Sequence, residues 1–257
     1  MKNNLQEIRA AFSAQAKRFN EYQKDTFKTA FTQSMVNDLG LNGSEIVLEI
    51  AAGTCALGRL IAPHVANITE LDITEEMLSA GRAANLEAGI QNAEYVIGNA
   101  EALPFADASF DVVTTRLSFH HFQNPEIIMR EIVRALKPGG KAAILDMVPP
   151  DESLRERFDH YETVRDHSHV RCLTLGELTD MMNQCELRVL QTNQEIIPMN
   201  LSSWMSLTDP EQSEQEEIRN ALMTELTGGE ACGMSPYMEN REIMFRRHWV
   251  YAIARKK

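Results

Sequence analysis

The chain has 257 residues and carries 25 Lys plus Arg against 37 Asp plus Glu, so its formal net charge is −12. Hydrophobic residues make up 44% and charged residues 24%, a globular composition that argues against disorder. Because such an acidic chain lacks the basic surface that a phosphate backbone requires, we expect no nucleic-acid partner. No apolar run approaches the roughly 20 residues that span a bilayer, so we expect no integral membrane association.

The cysteines and the first residues of the chain indicate the compartment. The four cysteines lie far apart and form no CxxC pair, which suits neither a structural zinc site nor a disulfide framework. The opening segment, MKNNLQEIRAAF, lacks the apolar stretch of a secretory signal peptide. The sequence therefore predicts a cytoplasmic protein with reduced thiols.

Two amphipathic stripes come first in chain order and predict helices. Apolar residues recur at helical spacing from Leu5 to Phe19 and again from Phe27 to Leu39, and Gly40 ends the second stripe. We therefore predict that residues 1–40 form an N-terminal helical cap.

Short apolar strands then alternate with helical stripes up to about residue 150. The predicted strands are Ile46–Ile50, Ile68–Asp72, Ala93–Ile97, Phe110–Thr115 and Ala142–Met147. Strands that are apolar almost throughout and alternate with helices form a parallel sheet with helices on both faces. The pattern therefore predicts an α/β fold.

The last third of the chain is less regular. Two long strands, Leu187–Ile197 and Glu242–Ala254, are predicted to give the sheet an antiparallel end. The segment between them is acidic, helical in pattern and too long for a plain loop. We therefore predict a core of residues 41–198 and 242–257, with residues 199–241 inserted as a helical lid or substrate subdomain.

The strongest local signal is the segment VLEIAAGTCALG, residues 47–58. It reads as a strand, a turn of small residues and the start of a helix, and small side chains let a ligand reach the backbone N–H groups. The next strand ends at Asp72, where a carboxylate can accept hydrogen bonds from ribose hydroxyls.

Two nucleoside ligands fit this unit. A dinucleotide needs G-x-G-x-x-G against its pyrophosphate, and here Ala51, Gly53 and Ala56 give A-x-G-x-x-A. S-adenosylmethionine (SAM) has no phosphate, and as a cation it suits an acidic protein with Glu49 beneath the turn. The motif favours SAM over a nicotinamide cofactor. A tight turn that binds no ligand remains an alternative interpretation.

Five segments occur in an order and spacing typical of one family: VLEIAAGTC, ELDITEEML, GNAEALPFADASFDVV, SFHHF and REIVRALKPGG. They resemble class I SAM-dependent methyltransferases, and are most similar to the type related to ubiquinone and menaquinone biosynthesis methyltransferases (UbiE-like). The resemblance implies a Rossmann-like, mostly parallel sheet with an antiparallel end strand, N-terminal helices and a C-terminal helical lid insertion. It also implies methyl transfer from SAM to a small-molecule acceptor, with S-adenosylhomocysteine as product.

The resemblance assigns cofactor contacts to the carboxyl edge of the sheet. Glu49 and the turn backbone would hold the methionine end of SAM, and Asp72 would take the ribose hydroxyls. Asn99 and Ala100 would face the adenine edge. The full set of implied cofactor residues is Tyr22, Glu49, Ala51, Ala52, Gly53, Asp72, Ile73, Met77, Asn99, Ala100, Glu101, Arg116 and Leu117. Tyr22 belongs to the N-terminal cap, which with Phe19 would close over the site.

Three positions depart from the family pattern. Ala51 and Cys55 stand where glycine is common, and Asn99 stands where aspartate is usual. Since an asparagine carbonyl can still accept from the adenine amine, we expect SAM binding to survive in weakened form. These departures motivate one alternative, a SAM-binding protein without turnover. A nicotinamide-dependent oxidoreductase is the other.

Methyl transfer is an in-line displacement at a sulfonium methyl and depends on alignment of the two reactants. A base is needed only if the acceptor must lose a proton. His120 and His121 follow the fourth strand at the ligand edge, and we predict that one of them is the catalytic base or orients the acceptor. The alternative is that the pair only packs or caps the helix that Pro125 opens.

Acceptor contacts are predicted at His167, Arg171 and Trp204, and Arg171 would suit an anionic acceptor. The segment 166–169 is rich in potential metal ligands, but without a further matched cluster we predict no metal. The sequence leaves open which small molecule is the acceptor and whether the protein forms a homodimer.

Overall fold

The structure is a computed structural model of the chain and describes residues 12–13 and 30–257. Most of the first predicted helix, including Phe19, lies outside the described residues, and so does Tyr22. The second predicted helix is present from Ala30 onward.

In chain order the helices and strands are α1 (Ala30–Asp38), β1 (Ile46–Ile50), α2 (Ala56–Ile61), β2 (Asn67–Asp72), α3 (Glu75–Glu87), β3 (Ala93–Ile97), β4 (Phe110–Arg116), α4 (Pro125–Ala135), β5 (Leu136–Val148), α5 (Arg155–Arg165), α6 (Leu175–Gln184), β6 (Leu187–Asn200), α7 (Leu201–Thr208), α8 (Gln212–Leu226), β7 (Tyr237–Glu239) and β8 (Glu242–Lys256). Short 3-10 helices cover Ala62–His64, Phe119–His121 and Glu152–Leu154.

The strands form one mixed sheet in the order β3-β2-β1-β4-β5-β8-β6, and β7 pairs with β8. Strands β1 to β5 pair in parallel, whereas β8 runs antiparallel to both β5 and β6. The predicted Rossmann-like sheet with an antiparallel end is confirmed. Because the chain leaves β1 toward β3 and later returns to β4, the switch point of the topology lies between β1 and β4, where ligands bind in open α/β sheets.

The largest difference from the predicted elements is at β5. The strand begins at Leu136 and not at the predicted Ala142, because Leu136 already pairs with Phe110 ahead of a register shift. A Cβ on Gly140 would lie 2.9 Å from the carbonyl oxygen of Lys137, so only glycine fits this close passage. Helix α2 ends at Ile61, and a 3-10 turn containing Pro63 follows it.

Hydrophobic clusters cover both faces of the sheet. One contains Ile132 of α4 and Met182 of α6. The other joins Met35 of α1 to Trp204 and Leu222, which belong to α7 and α8. Burying each such side chain stabilises the fold by roughly 1.5–3 kcal/mol. The helices of the predicted insertion therefore share a core with the sheet. Among the described residues, no helix is long and apolar enough to cross a membrane.

Candidate functional site

The turn between β1 and α2 is built from left-handed backbone. Ala51, Gly53 and Cys55 have φ values of 50°, 53° and 57°. This conformation suits glycine and costs other residues roughly 1–2 kcal/mol, so Ala51 and Cys55 hold local strain. A Cβ on Gly53 would meet no atom within 4 Å. The space above the turn is therefore open, which fits a ligand lying against its backbone.

Asp72 ties the end of β2 to this turn. Its Oδ2 accepts a hydrogen bond from Gly53 N at 2.7 Å, and its Oδ1 accepts from Thr74 N at 2.8 Å. Burial raises the pKa of Asp72, and these N–H donors oppose the rise. Each carboxylate oxygen keeps a second lone pair that can accept from a hydroxyl. Gly53 and Asp72 are therefore in direct contact at the carboxyl edge of the sheet.

Glu49 lies beneath the turn and is 2% exposed. Its Oε2 accepts a hydrogen bond from Gly58 N at 2.7 Å. Beside it is Glu70 of β2, which is fully buried and which sequence reasoning missed. The signal was a single glutamate inside the otherwise apolar centre of that strand.

The predicted adenine contacts lie along the same edge. Asn99 Oδ1 accepts a hydrogen bond from Glu101 N at 3.0 Å, and Glu101 Oε1 accepts from Asn124 Nδ2 at 3.1 Å. The Asn99 carbonyl thus stabilises its own loop by accepting this backbone hydrogen bond, and an aspartate could accept the same bond. Ala100 and Met77 are buried and Ile73 is half-buried.

His120 forms a dyad with Asp146 of β5, a residue that the sequence analysis did not single out. The distance from His120 Nδ1 to Asp146 Oδ1 is 2.6 Å, and His120 N donates to Asp146 Oδ2 at 3.3 Å. Burial alone would raise the pKa of Asp146, but the neighbouring His120 and its hydrogen bond lower it overall. A carboxylate on Nδ1–H fixes the tautomer in which Nε2 accepts a proton.

His121 is held differently. Its Nδ1 lies 3.0 Å from the carbonyl oxygen of Ser168, and its ring packs against His120 and, edge-on, against Phe12. Burial, with the neighbouring His120, lowers the pKa of His121 to about 3, so the ring is neutral near pH 7. Of the two predicted histidines, His120 is the one whose Nδ1 lies against a carboxylate.

Arg116 lies at the carboxyl end of β4, near both Glu49 and Asp146. Its guanidinium stands 5.9 Å from the ring centre of Trp249. Burial lowers the pKa of Arg116 to about 10, and the charges of Glu49 and Asp146 both oppose that change. Leu117 follows it with φ of 52°. Both residues lie where β4 ends, as predicted.

The three predicted acceptor residues are not brought together. The exposed His167 pairs with Glu214 of α8 through a 2.7 Å contact, and the Arg171 side chain pairs with Glu177. Trp204 is buried, with the Arg165 guanidinium 4.8 Å from its ring centre. Only the backbone of Arg171 approaches the histidines, because its N–H donates to the carbonyl oxygen of His120 at 3.1 Å.

One group of potential metal ligands occurs among the described residues, and it differs from the segment weighed in the sequence. The ligand atoms of Asp159, His169 and Cys172 lie within 4.8 Å of one another. Asp159 Oδ1 is 2.8 Å from His169 Nε2 and accepts a hydrogen bond from Cys172 N at 2.9 Å. These contacts explain the cluster as an anchor for the loop after α5.

Comparison with known proteins agrees with this geometry. A family model described as a methyltransferase domain matches residues 48–144. The methyltransferase YcgJ of Bacillus subtilis is 32% identical over 160 residues, which is 62% of this chain and 63% of that protein. A demethylmenaquinone methyltransferase of Listeria monocytogenes is 34% identical over 134 residues, which is 51% of this chain and 53% of that protein.

A crystal structure of a methyltransferase from Bacillus halodurans shares 26% identity and superimposes with a TM-score of 0.81, covering 89% of this chain and 99% of that one. The sequence matches span between about half and two thirds of these curated relatives. The domain match includes the glycine turn and Asp72. Residues 48–144 therefore form a methyltransferase domain, and the chain is similar to class I SAM-dependent methyltransferases that include the UbiE-like type.

Proposed function

We propose that this protein transfers a methyl group from SAM to a small-molecule acceptor, with His120 as the base that removes the acceptor's proton. The observation that supports SAM binding is the 2.7 Å hydrogen bond from Gly53 N to Asp72 Oδ2. It joins the turn after β1 to the acidic end of β2, next to the switch point that lies on the other side of β1.

The residues around this contact fit SAM. Open space above Gly53 admits a ligand to the backbone, and Asp72 has lone pairs left for two ribose hydroxyls. Met77 and Ile73 offer apolar surface for adenine, and Glu49 offers negative charge below the turn. When bound, SAM would supply an electrophilic methyl group on its sulfonium.

The chain's own residues would orient the acceptor and take its proton. Asp146 holds the His120 ring in one tautomer and favours the imidazolium that forms when Nε2 accepts a proton. A dyad of this kind supports an acceptor with a removable proton, such as a hydroxyl group or an activated ring carbon.

The acceptor is proposed only by class. A relative named demethylmenaquinone methyltransferase supports including reduced quinones among the candidates. The left-handed Ala51 and Cys55 favour a second candidate function, a SAM-binding protein without turnover, because a strained turn is the feature most able to weaken the cofactor site.

Incubation with methyl-labelled SAM and a small-molecule extract tests the proposal. We expect a labelled product by mass spectrometry, formed together with S-adenosylhomocysteine. No labelled product across extracts and reduced quinones, with SAM still bound, would support the function without turnover. No binding of SAM would contradict both.

A further inference from the structure

Glu49 and Glu70 lie side by side beneath the glycine turn. They are register partners on the parallel strands β1 and β2, so their side chains leave the same face of the sheet. Glu49 is 2% exposed and Glu70 is 0% exposed. A Cβ on Gly58 would overlap the carboxyl group of Glu70. Glu70 therefore fills the space that this glycine leaves against the start of α2.

The two carboxyl groups have different hydrogen-bond partners. Gly58 N donates to Glu49 Oε2 at 2.7 Å. Neither carboxyl oxygen of Glu70 has a hydrogen-bond partner in the described part of the chain, although both carboxyl groups lie against Gly58. Two carboxylates have no hydrogen to share, whereas a carboxylic acid donates its O–H to a carboxylate. A proton on one of the two acids would therefore give the buried Glu70 the partner that it otherwise lacks.

The surroundings favour that proton on Glu70. Burial raises the pKa of Glu49 to about 7, while Arg116, Arg59 and the Glu70 hydrogen bond oppose the rise. Burial raises the pKa of Glu70 well above its usual value, the charge of Glu49 raises it further, and only Arg59 opposes. The charged and titratable side chains that face the pair are Cys55, Arg59, Tyr95 and Arg116. Glu49 is therefore the group that ionises first.

We propose that Glu70 is a positioning residue for SAM: as a neutral carboxylic acid it donates its proton to Glu49 and holds Glu49 as the carboxylate beneath the glycine turn. This inference rests on the SAM binding proposed above. The methionine part of SAM carries ammonium and sulfonium charges, which a single buried negative charge below the turn attracts. Without its donor, Glu49 would ionise only at higher pH, so SAM would bind less tightly near neutral pH.

Two matched variants separate the donor role from mere space filling. Glu70→Gln keeps a hydrogen-bond donor in its amide, and Glu70→Leu removes the donor at similar volume. Calorimetry with SAM between about pH 6 and pH 9 spans the ionisation of Glu49. We expect wild type and Glu70→Gln to share the midpoint of the pH dependence. Glu70→Leu should move it up by about one pH unit and weaken SAM roughly tenfold near pH 7.

An unchanged midpoint and affinity in Glu70→Leu would overturn the proposal, as would a Glu70→Gln variant shifted as far as Glu70→Leu. Circular dichroism checks that each variant is folded. If Glu70→Leu does not fold, the comparison of wild type with Glu70→Gln decides, because weakened SAM binding in Glu70→Gln at every pH would exclude the donor role.

Infrared spectroscopy of the SAM-free protein separates this proposal from the proposed function. We expect a carboxylic-acid C=O band that persists to about pH 8 in wild type and is lost in Glu70→Gln. Absence of that band from wild type would overturn the shared proton. Wild type that shows the band but binds no SAM would overturn the role for SAM, together with the proposed function, and leave the acid pair in place.

Discussion

The two halves of the ligand edge treat their acidic residues in opposite ways. On the cofactor side, formed by β1 and β2, the pKa values of Glu49, Glu70 and Asp72 are raised, because burial outweighs a few N–H donors and the nearby arginines. On the acceptor side, formed by β4, β5 and the loop after α5, the pKa values of Asp146 and Asp166 are lowered. Burial acts there too, but His120 beside Asp146 and Arg165 beside Asp166, together with hydrogen bonds to each carboxylate, overcome it.

This difference fits the role proposed for each side, which is cofactor binding on one and orientation of the histidines on the other. A cofactor side with raised pKa values keeps its charge low until a cation arrives. An acceptor side with ionised carboxylates holds histidines in fixed orientation, because the carboxylate or carbonyl accepts from Nδ1–H. Buried acids therefore act as proton holders where burial dominates their pKa, and as anchors where charged and hydrogen-bonding neighbours dominate it.

The largest effect is expected from a substitution that impairs the acceptor side and leaves the cofactor side intact. In His120→Asn, kcat for labelled methyl transfer should fall by about 10²–10⁴-fold, the usual contribution of a positioned base, while the Kd for SAM changes less than about twofold. The exposed His64→Asn is the matched control. Full activity in His120→Asn would leave alignment of the reactants as the main catalytic factor.

Asp72→Asn removes a carboxylate from the cofactor side and so tests its contribution to SAM binding. We expect SAM to bind roughly 10–100-fold more weakly, because a hydrogen bond to a charged group contributes about 1.5–3 kcal/mol. Calorimetry measures the change, and Asp107→Asn is the control, since that carboxylate lies on the surface beside Arg134. Unchanged affinity would remove Asp72 from the cofactor site.

Gly58→Ala tests how tightly the acid pair is packed. The new methyl group would overlap Glu70, so the free energy of unfolding in urea should fall by about 1–3 kcal/mol. In the double variant Gly58→Ala with Glu70→Ala the two changes should be non-additive, because removing the Glu70 carboxyl group makes room for the methyl group. Strictly additive losses would show that the two residues are not in contact.

The pH dependence of stability tests the buried histidine of the acceptor side. The pKa of His121 is about 3 in the folded state and near its usual value of about 6.5 in the unfolded chain. Between these values the unfolded state binds more protons, so stability falls as the pH drops from about 6.5 toward 3. His121→Gln should flatten that part of the curve. An equally steep loss in the variant would contradict a buried neutral His121.

The smallest effect concerns the strained turn. Ala51 has φ of 50°, so Ala51→Gly should relieve strain and change the free energy of unfolding by no more than about 1 kcal/mol, since glycine also loses more entropy on folding. Thermal melting measures it, with Ala102→Gly at an exposed position as the control. A loss as large as that of Ala102→Gly would indicate that the turn carries no strain.

Local pattern was enough for the sheet and for the cofactor side. The strand Ala93–Ile97 is predicted to the residue, because an apolar run bounded by turns leaves few alternatives. Gly53 and Asp72 are in contact because parallel strands bring their carboxyl ends to one edge. Contacts between residues distant in the chain escaped prediction. Asp146 meets His120 across two strands, and His167 is drawn to Glu214 by the packing of α8, which no spacing in the sequence reveals.

The central claim, that Gly53 and Asp72 form part of a SAM site, is tested most directly by calorimetric titration of the full chain with SAM, S-adenosylhomocysteine and NAD⁺ in parallel. We expect both adenosyl compounds to bind at one site per chain with Kd below about 100 μM, and NAD⁺ to give no heat. Binding of NAD⁺ instead, or no binding of SAM at about 1 mM, would contradict the account.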